Sequence, residues 1–449
     1  MVEDSLQLQV FIGWAVVALF VGIALVHRTG LLGFTMFAAF SIFTASHSAL
    51  LFSSLTGMDF AWVTPEHIVV FNYCGLGMLL FGVGMIVAWK PIRVNLRREA
   101  SWDARAISGR FEPSWLTPQF VLLCMWLGAA GYILTPITSF IPTVHAIWTI
   151  FFDWLQVGIL IACLYAVIQR RFKVFVISIT VFLPLSLIRV VSDGHAGALG
   201  LFVVHLGIVF LLARRVRIWH LGVLAALALM LAPVAATWFK VRDFVRHGAI
   251  QGNAIQRVLT FGELFLMYYE PFDFDKYKLR EVLMLRFDMS DILADQVSRQ
   301  PVEVPYQHGK TVTDNLLAAL VPRILWPDKP VRFGGSDFIQ MFTGRQYDEG
   351  TSVNTPVQLE FYANFGPIGA MVLLGLYGYL CARLELSLFS RDFRDLPKLL
   401  RRFVYVLVAC TTGSQLTLTI MKLIPGLVGI WLAGKVIENL RKTMRFNKD

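Results

Sequence analysis

Long apolar runs dominate this chain and constrain its fold more than any other feature. A run of about 20 residues can cross the hydrocarbon core of a bilayer as an α-helix. Such runs lie at residues 8–26, 33–55, 67–89, 118–138, 144–168, 174–191, 196–213, 218–238, 357–381, 403–421 and 424–437. Only 16% of the 449 residues are charged, against about 25% in soluble proteins. We therefore predict an all-α polytopic membrane protein with about 11 transmembrane helices.

The basic residues favour one orientation of these spans. With the N-terminus outside, the predicted inside segments hold 24 of the 40 Lys and Arg residues. The short outside connections near 56–66, 139–143 and 192–195 hold none. Cytoplasmic loops carry an excess of Lys and Arg, so this pattern predicts an N-out, C-in topology. It also accounts for the net charge of +10 without a nucleic-acid partner.

One outside segment is much longer than the others and divides the chain into three parts. Residues 1–238 hold spans 1 to 8, residues 239–356 form the large outer loop, and residues 357–449 hold spans 9 to 11 and the inner tail. Apolar residues recur at helical spacing in this loop. The spacing predicts short helices at residues 254–270, 277–299 and 311–325, lying across the outer mouth of the bundle.

The sequence lacks the common motifs for metal, nucleotide, hydrolase and dithiol sites. We find no HExxH, Walker loop, GxSxG or CxxC motif, and the five cysteines are far apart. Asp273 and Asp275, with Glu270 nearby, have a spacing that can hold a divalent cation, but acids two residues apart are common in charged loops. We therefore expect no metal and no cofactor.

Ionisable residues flank two of the predicted spans at their outer ends. Arg189 lies at the outer end of the sixth span, Asp193 and His195 follow it in a tight turn, and Glu360 lies at the start of the ninth span. Charges at membrane depth are costly and usually face a water-filled cavity. The alternatives are that Arg189 extends to the interface, and that Glu360 forms an internal ion pair with Arg189 or Lys422.

The outer loop contains a stiff basic segment, LVPRILWPDKPVRFGG. Two prolines fix the backbone around Trp326. The cations in and after the segment are Arg323, Lys329, Arg332 and Arg345. Guanidinium groups pair two phosphate oxygens at once. A diphosphate held beside a membrane suggests a lipid-linked substrate, whereas the alternative is a solvated charged loop.

Two stretches resemble a known family. HGKTVTDNLLAALVPRILWPDKP and TPVQLEFYANFGPIG are similar to the Wzy-type polymerases of bacterial surface polysaccharides, meaning O-antigen and exopolysaccharide repeat-unit polymerases. Those proteins have many spans and one large periplasmic loop. Some have two copies of Arg, ten residues, Gly, and this chain has Arg189 with Gly200 and Arg323 with Gly334.

The resemblance implies an enzyme of the bacterial inner membrane with its active site facing the periplasm. It would join polyisoprenyl-diphosphate-linked oligosaccharides to one another. Its other partners would be membrane lipid and a chain-length regulator protein. Arg189 and Arg323 would clamp the diphosphate, supported by Lys329, Arg332 and Arg345. The candidates for the base are Glu360, Asp193, His195 and His308, and Glu360 is preferred because partial burial suits a carboxyl to proton transfer.

Aromatic and polar residues near these charges are candidates for contact with the glycan. They are His308, Trp326, Tyr362 and Asn364. The alternative for Tyr362 and Asn364 is a structural role at the membrane interface.

Two other functions remain open at this point. An O-antigen ligase would use the same donor but transfer it once to a lipid A core. A transporter of lipid-linked glycans would show internal repeats and broken helices, and no repeat is visible here.

Overall fold

The computed structural model describes residues 2–26, 33–89, 254–269, 288–320, 335–347 and 355–388, together with isolated helical positions between 121 and 241. Within these ranges the chain is helical and contains no strand. The helices are α1 (Val2–Val26), α2 (Gly33–Thr56), α3 (Pro65–Trp89), α4 (Ala254–Tyr268), α5 (Ser290–Arg299), α6 (Lys310–Leu320), α7 (Gly335–Thr343) and α8 (Val357–Leu388).

Four of these helices are long and apolar enough to cross a membrane. They are α1, α2, α3 and α8, and they correspond to the spans predicted at 8–26, 33–55, 67–89 and 357–381. The prediction of an all-helical chain therefore holds for the described residues, and four of its helices could cross a membrane. Of the seven other predicted spans, the structure describes isolated helical positions at most.

Helix α3 is the centre of the described bundle, since α1, α2, α5 and α8 all pack against it. Its closest neighbour is α8, and glycines let the two backbones approach. A Cβ built on Gly378 would lie 2.5 Å from the carbonyl oxygen of Phe81, and one on Gly84 would lie 2.8 Å from the amide nitrogen of Tyr379. Small residues at such interfaces are typical of membrane helices that pack closely.

The contacts also give the relative directions of the helices. Gln9 pairs with Asn72 near the start of α1 and α3, and Leu19 packs on Gly82 further along both. Helix α2 runs the opposite way, because Thr35 at its start meets Glu385 near the end of α8. The Glu385 Oε2 atom accepts hydrogen bonds from the Thr35 amide at 2.9 Å and from its hydroxyl at 2.5 Å.

Helix α8 is not a straight rod. Gly366 has φ 67° and ψ −170°, and Pro367 follows it. The rings of Phe361 and Tyr377 lie 6.0 Å apart, although 16 residues of straight helix would separate them by about 24 Å. The chain therefore reverses at Gly366, and we call residues 357–365 the short arm of α8 and residues 367–388 its long arm.

The helices observed in the outer loop agree in part with those predicted from the sequence. Helices α4 and α6 begin where helical spacing predicted them. The predicted helix 277–299 is described from residue 288 onward, where Asp288 and Met289 are not helical and α5 begins at Ser290. Helix α7 was not predicted. Helix α5 packs against α2 and α3 as well as α7 and α8, so this part of the loop is embedded among the membrane helices.

The close α3–α8 packing makes a direct prediction. Gly378→Ala places a methyl group against the Phe81 backbone, and overpacking of this kind should lower the free energy of unfolding by about 1–3 kcal/mol. Thermal unfolding in detergent, followed by intrinsic fluorescence, measures the loss. Gly22→Ala on α1 is the matched control, because a Cβ there meets no described atom within 4 Å. Equal Tm values for the two variants would contradict the packing.

Candidate functional site

The reversal of α8 leaves backbone carbonyls that the helix cannot satisfy. Pro367 has no N–H to donate to the carbonyl of Ala363, and the reversal removes the next donor for Asn364. The outer loop supplies both donors. The Gln307 amide donates to the Ala363 oxygen at 3.0 Å, and the His308 amide donates to the Asn364 oxygen at 3.0 Å. The end of the short arm is thus bonded to residues 307 and 308 of the loop.

Two glutamines of the α5 region extend this pairing along the short arm. The side-chain amide of Gln300 donates to the Ala363 oxygen at 3.3 Å, and that of Gln296 donates to the Leu359 oxygen at 3.0 Å. Both side chains are buried. Buried amides that serve backbone carbonyls are expected where irregular backbone lies among apolar helices, because each unpaired group would cost several kcal/mol, about 2–7 by transfer data.

The short arm begins deep in the bundle. The side-chain amide of Gln358 donates to the carbonyl oxygen of Ile42 at 2.5 Å. Ile42 is nine residues from the start of α2 and 14 from its end, which corresponds to about 14 Å and about 21 Å of helix. The short arm therefore rises from the interior of the bundle to Gly366, and the long arm descends again beside α3.

The structure brings four predicted site residues together on this short arm. Glu360, Tyr362 and Asn364 lie on it and are buried, and His308 is bonded to its end through the backbone. Glu360 was expected to be partly buried, and its exposed fraction is 0%. Tyr362 packs between Tyr73, with ring centroids 5.2 Å apart, and Tyr306, at 6.0 Å.

Asn364 uses its side-chain amide entirely within the protein. Its Nδ2 atom donates to the Glu360 carbonyl and to the Thr311 hydroxyl, both at 2.7 Å. Its Oδ1 atom accepts from the Gly309 amide at 2.8 Å. Together with the His308 amide on its own carbonyl, these bonds fasten the turn 307–311 to the short arm.

His308 occupies an unusual backbone conformation within that turn. Its φ is 47°, in the left-handed region, and Gly309 follows with φ 89°. The imidazole is exposed. A residue other than glycine is strained in this region and keeps the conformation only where its surroundings hold it there. The turn thus presents an accessible imidazole beside a short arm whose other polar side chains are buried.

Asp288, two residues before the start of α5, bonds this part of the chain to α2. Its Oδ2 atom accepts from the Ala49 amide at 2.7 Å and the Ser48 hydroxyl at 3.0 Å, and its Oδ1 accepts from the Ser290 amide at 2.8 Å. The Met289 amide donates to the Ala45 oxygen at 2.7 Å. Burial raises the pKa of the Asp288 carboxyl above its ordinary value, and these hydrogen bonds oppose that rise.

His67 fastens the same helix to α3. The Thr64 amide donates to its Nδ1 atom at 3.2 Å, so the ring proton lies on Nε2 and points to Asp291 Oδ1 at 2.9 Å. His67 is buried, and the Asp291 side chain is half exposed. Helix α5 is therefore held on two sides, by α2 through Asp288 and by α3 through Asp291.

The remaining predicted site residues are not part of this cluster. The Nε atom of Arg345 donates to Asp295 on α5, with both side chains partly exposed. The other predicted site residues, and the acidic residues considered for a cation, lie outside the described residues: Arg189, Asp193, His195, Arg323, Trp326, Lys329, Arg332, Glu270, Asp273 and Asp275. In the described ranges no group of three His, Cys, Asp or Glu side chains could hold a metal ion.

Sequence reasoning missed the residues that hold the site together. Gln296, Gln300 and Asp288 gave no motif, because their partners are far away in the sequence. One signal was available for the reversal of α8. Gly366 and Pro367 form a dipeptide that favours turns, inside a run that hydropathy assigns to a single span.

Comparisons with known proteins identify a family whose description assigns no activity. A family model described as a domain of unknown function, DUF8712, matches residues 114–387. This range is more than half of the chain and contains α4 to α7 and nearly all of α8. No curated protein and no solved structure matches the chain significantly.

The raised pKa of Asp288 predicts a pH-dependent effect of its substitution. Asp288→Asn leaves an NH₂ group facing donors and should cost about 1–3 kcal/mol. An acid with a raised pKa contributes less stability as pH rises through its folded-state pKa. The loss in Tm caused by Asp288→Asn should therefore shrink from pH 4.5 to pH 7.5. The same scan on the exposed Asp59→Asn serves as the control, and a constant loss would contradict the buried carboxyl.

The backbone at Gly366 predicts that no other residue is tolerated there. An alanine would be strained at φ 67° and ψ −170°, and its Cβ would lie 2.9 Å from the Tyr306 ring. Gly366→Ala should lower the free energy of unfolding by about 1–3 kcal/mol. Adding Tyr306→Ala removes the clash but leaves the strain, so the double variant should have a lower Tm than Tyr306→Ala alone. Equal Tm values for those two variants would show that the backbone conformation is unimportant.

Proposed function

The chain belongs to the DUF8712 family, whose description assigns no activity, and we propose that it is a polymerase of lipid-diphosphate-linked oligosaccharide repeat units. The reaction takes place at the periplasmic face of the bacterial inner membrane. One observation carries this proposal. The short arm of α8 holds the buried Glu360 inside an apolar bundle and ends beside the exposed His308.

The proposed reaction is a glycosyl transfer between two lipid-linked glycans. A hydroxyl oxygen of the acceptor forms a bond to the anomeric carbon of the donor. The bond from that carbon to the diphosphate breaks, and its electron pair leaves with the polyisoprenyl diphosphate. The hydroxyl proton passes to a base on the protein. Among the described residues, Glu360 and His308 are the two candidates for that base.

The chemistry of the leaving group supports the same reaction. A departing diphosphate carries charge that cations must stabilise. We assign this role to Arg189 and Arg323, with Lys329, Arg332 and Arg345 as supporting cations. Arg345 is held by its ion pair with Asp295, which restricts its side chain. Trp326 is assigned to the glycan, and membrane lipid and a chain-length regulator are the proposed partners.

Transport of a lipid-linked glycan is a second candidate, because the reversal of α8 favours it. Discontinuous helices that end inside a bundle form the substrate sites of many transporters. The ligase is a third candidate that shares the donor but not the acceptor. The three functions differ in their products, so one preparation can separate them.

The decisive experiment uses the purified full-length chain in detergent with one defined polyisoprenyl-diphosphate repeat unit. The polymerase should convert it into a ladder of lipid-linked products of increasing length. A ligase should give no ladder and should instead add one glycan to a lipid A core supplied with it. Detergent offers no second compartment, so a transporter should leave the substrate unchanged, and that result would overturn the proposal.

The diphosphate clamp gives a sharper prediction in the same assay. Arg323→Lys keeps the charge but loses the planar fork that pairs two phosphate oxygens, so the rate should fall at least about tenfold. Arg383→Lys is the matched control, because Arg383 is exposed near the far end of the long arm. Wild-type rates for both variants would rule out a bidentate role for Arg323.

A further inference from the structure

We propose that Asn364 is a positioning residue that presents the imidazole of His308 to the acceptor hydroxyl, and that His308 rather than Glu360 receives its proton. This inference rests on the proposed glycosyl transfer and names the base within it. Two features of the described residues carry it. They are the difference in accessibility between the two candidates and the set of hydrogen bonds that Asn364 makes.

Accessibility separates the two candidate bases. A base must come within hydrogen-bond distance of the proton it removes. Glu360 is 0% exposed, among buried neighbours on the short arm. A glycan could reach its carboxylate only after the surrounding helices moved. His308 is exposed on the turn at the end of the short arm, where an incoming hydroxyl meets it without any rearrangement of the bundle.

The backbone of the turn indicates that this presentation is held in place. The left-handed conformation at His308 is uncommon for residues other than glycine, although histidine adopts it more often than most, as asparagine and aspartate do. This conformation is held in place because two consecutive backbone amides, those of His308 and Gly309, are both bonded to Asn364. The His308 amide donates to the Asn364 carbonyl, and the Gly309 amide donates to the Asn364 side chain.

The hydrogen bonds of Asn364 argue against its direct contact with sugar. Both hydrogens of its Nδ2 atom are donated within the protein, to Glu360 and Thr311, and the side chain is 1% exposed. An amide that is engaged and buried in this way cannot bind a glycan without breaking the turn. Its effect on the reaction therefore passes through His308.

The step balances without a further reactant. The acceptor oxygen bonds to the anomeric carbon as its proton moves to an imidazole nitrogen of His308. The diphosphate leaves with the electrons of the broken carbon–oxygen bond. The imidazolium then returns its proton to water at the periplasmic face. No oxidant, metal or nucleotide takes part in this transfer.

The test measures kcat and KM for the purified full-length chain acting on the defined lipid-linked repeat unit. His308→Gly keeps the left-handed backbone and should lower kcat at least about 100-fold, with little change in KM. Added imidazole should restore part of the rate. Asn364→Ala should lower kcat at least about tenfold, and Asn364→Asp, which keeps the acceptor for Gly309, should recover part of it.

Two comparisons distinguish positioning from a general loss of structure. Gln9→Ala removes another buried amide, one that bonds Asn72 on α3 instead of the turn, and it should leave kcat within about threefold of wild type. Asn364→Ala should cause no further loss when it is added to His308→Gly, because residues that act through one another are not additive.

Each outcome decides the inference. Loss of activity in Glu360→Gln with a normal rate in His308→Gly would assign the base to Glu360 and overturn it. Equal losses from Asn364→Ala in the wild-type and His308→Gly backgrounds would overturn the positioning role. These results require a wild-type ladder, so they leave the proposed function standing. Absence of any product from the wild-type chain would instead overturn both.

Discussion

Every backbone carbonyl inside an apolar bundle needs a hydrogen-bond donor, and the reversal of α8 leaves carbonyls that its own helix cannot serve. Pro367 removes one amide, and the conformation of Gly366 turns the chain away. The missing donors are the backbone amides of residues 307 and 308, and the Gln300 side chain adds a second bond to the Ala363 oxygen. The short arm and the outer loop can therefore exist in this form only together.

This requirement explains why part of the outer loop is embedded in the bundle. To reach the carbonyls of the short arm, α5 must lie between the membrane helices. Asp288 and Asp291 fasten it there, to α2 and α3 respectively. At the opposite end of the long arm, Glu385 bonds the first turn of α2. Both arms of α8 are thus bonded to neighbouring parts of the chain. These bonds hold the short arm to which the exposed turn at His308 is attached.

The sequence predicted those features of the fold that depend on local composition. The bounds of α2 and α3 and the end of α1 follow from apolar length to within two residues, although α1 begins six residues before the predicted span. Helices α4 and α6 follow from helical spacing, because both signals are contained in a short window. The reversal of α8 was not predicted, since hydropathy averages over Gly366 and Pro367. The role of Asp288 was not predictable, because its partner Ala49 is 239 residues away.

The candidate site was predicted in outline only. Charge and resemblance selected Glu360, Tyr362, Asn364 and His308, which the structure brings to the short arm. Their environments could not be foreseen. Burial of Glu360 and the engagement of the Asn364 amide depend on where α5 and the turn 307–311 lie. Those positions follow from the pairing of freed carbonyls, which no pattern in the sequence shows directly.

The depth of the short arm is the claim on which this account depends most. It can be measured by crosslinking thiols after the five native cysteines have been replaced. Ile42→Cys with Gln358→Cys should crosslink readily through a short reagent, because these residues are bonded in the bundle interior. Thr56→Cys with Gln358→Cys should not, since Thr56 lies about 21 Å further along α2. Crosslinking of the second pair in place of the first would place the short arm at the surface and contradict the account.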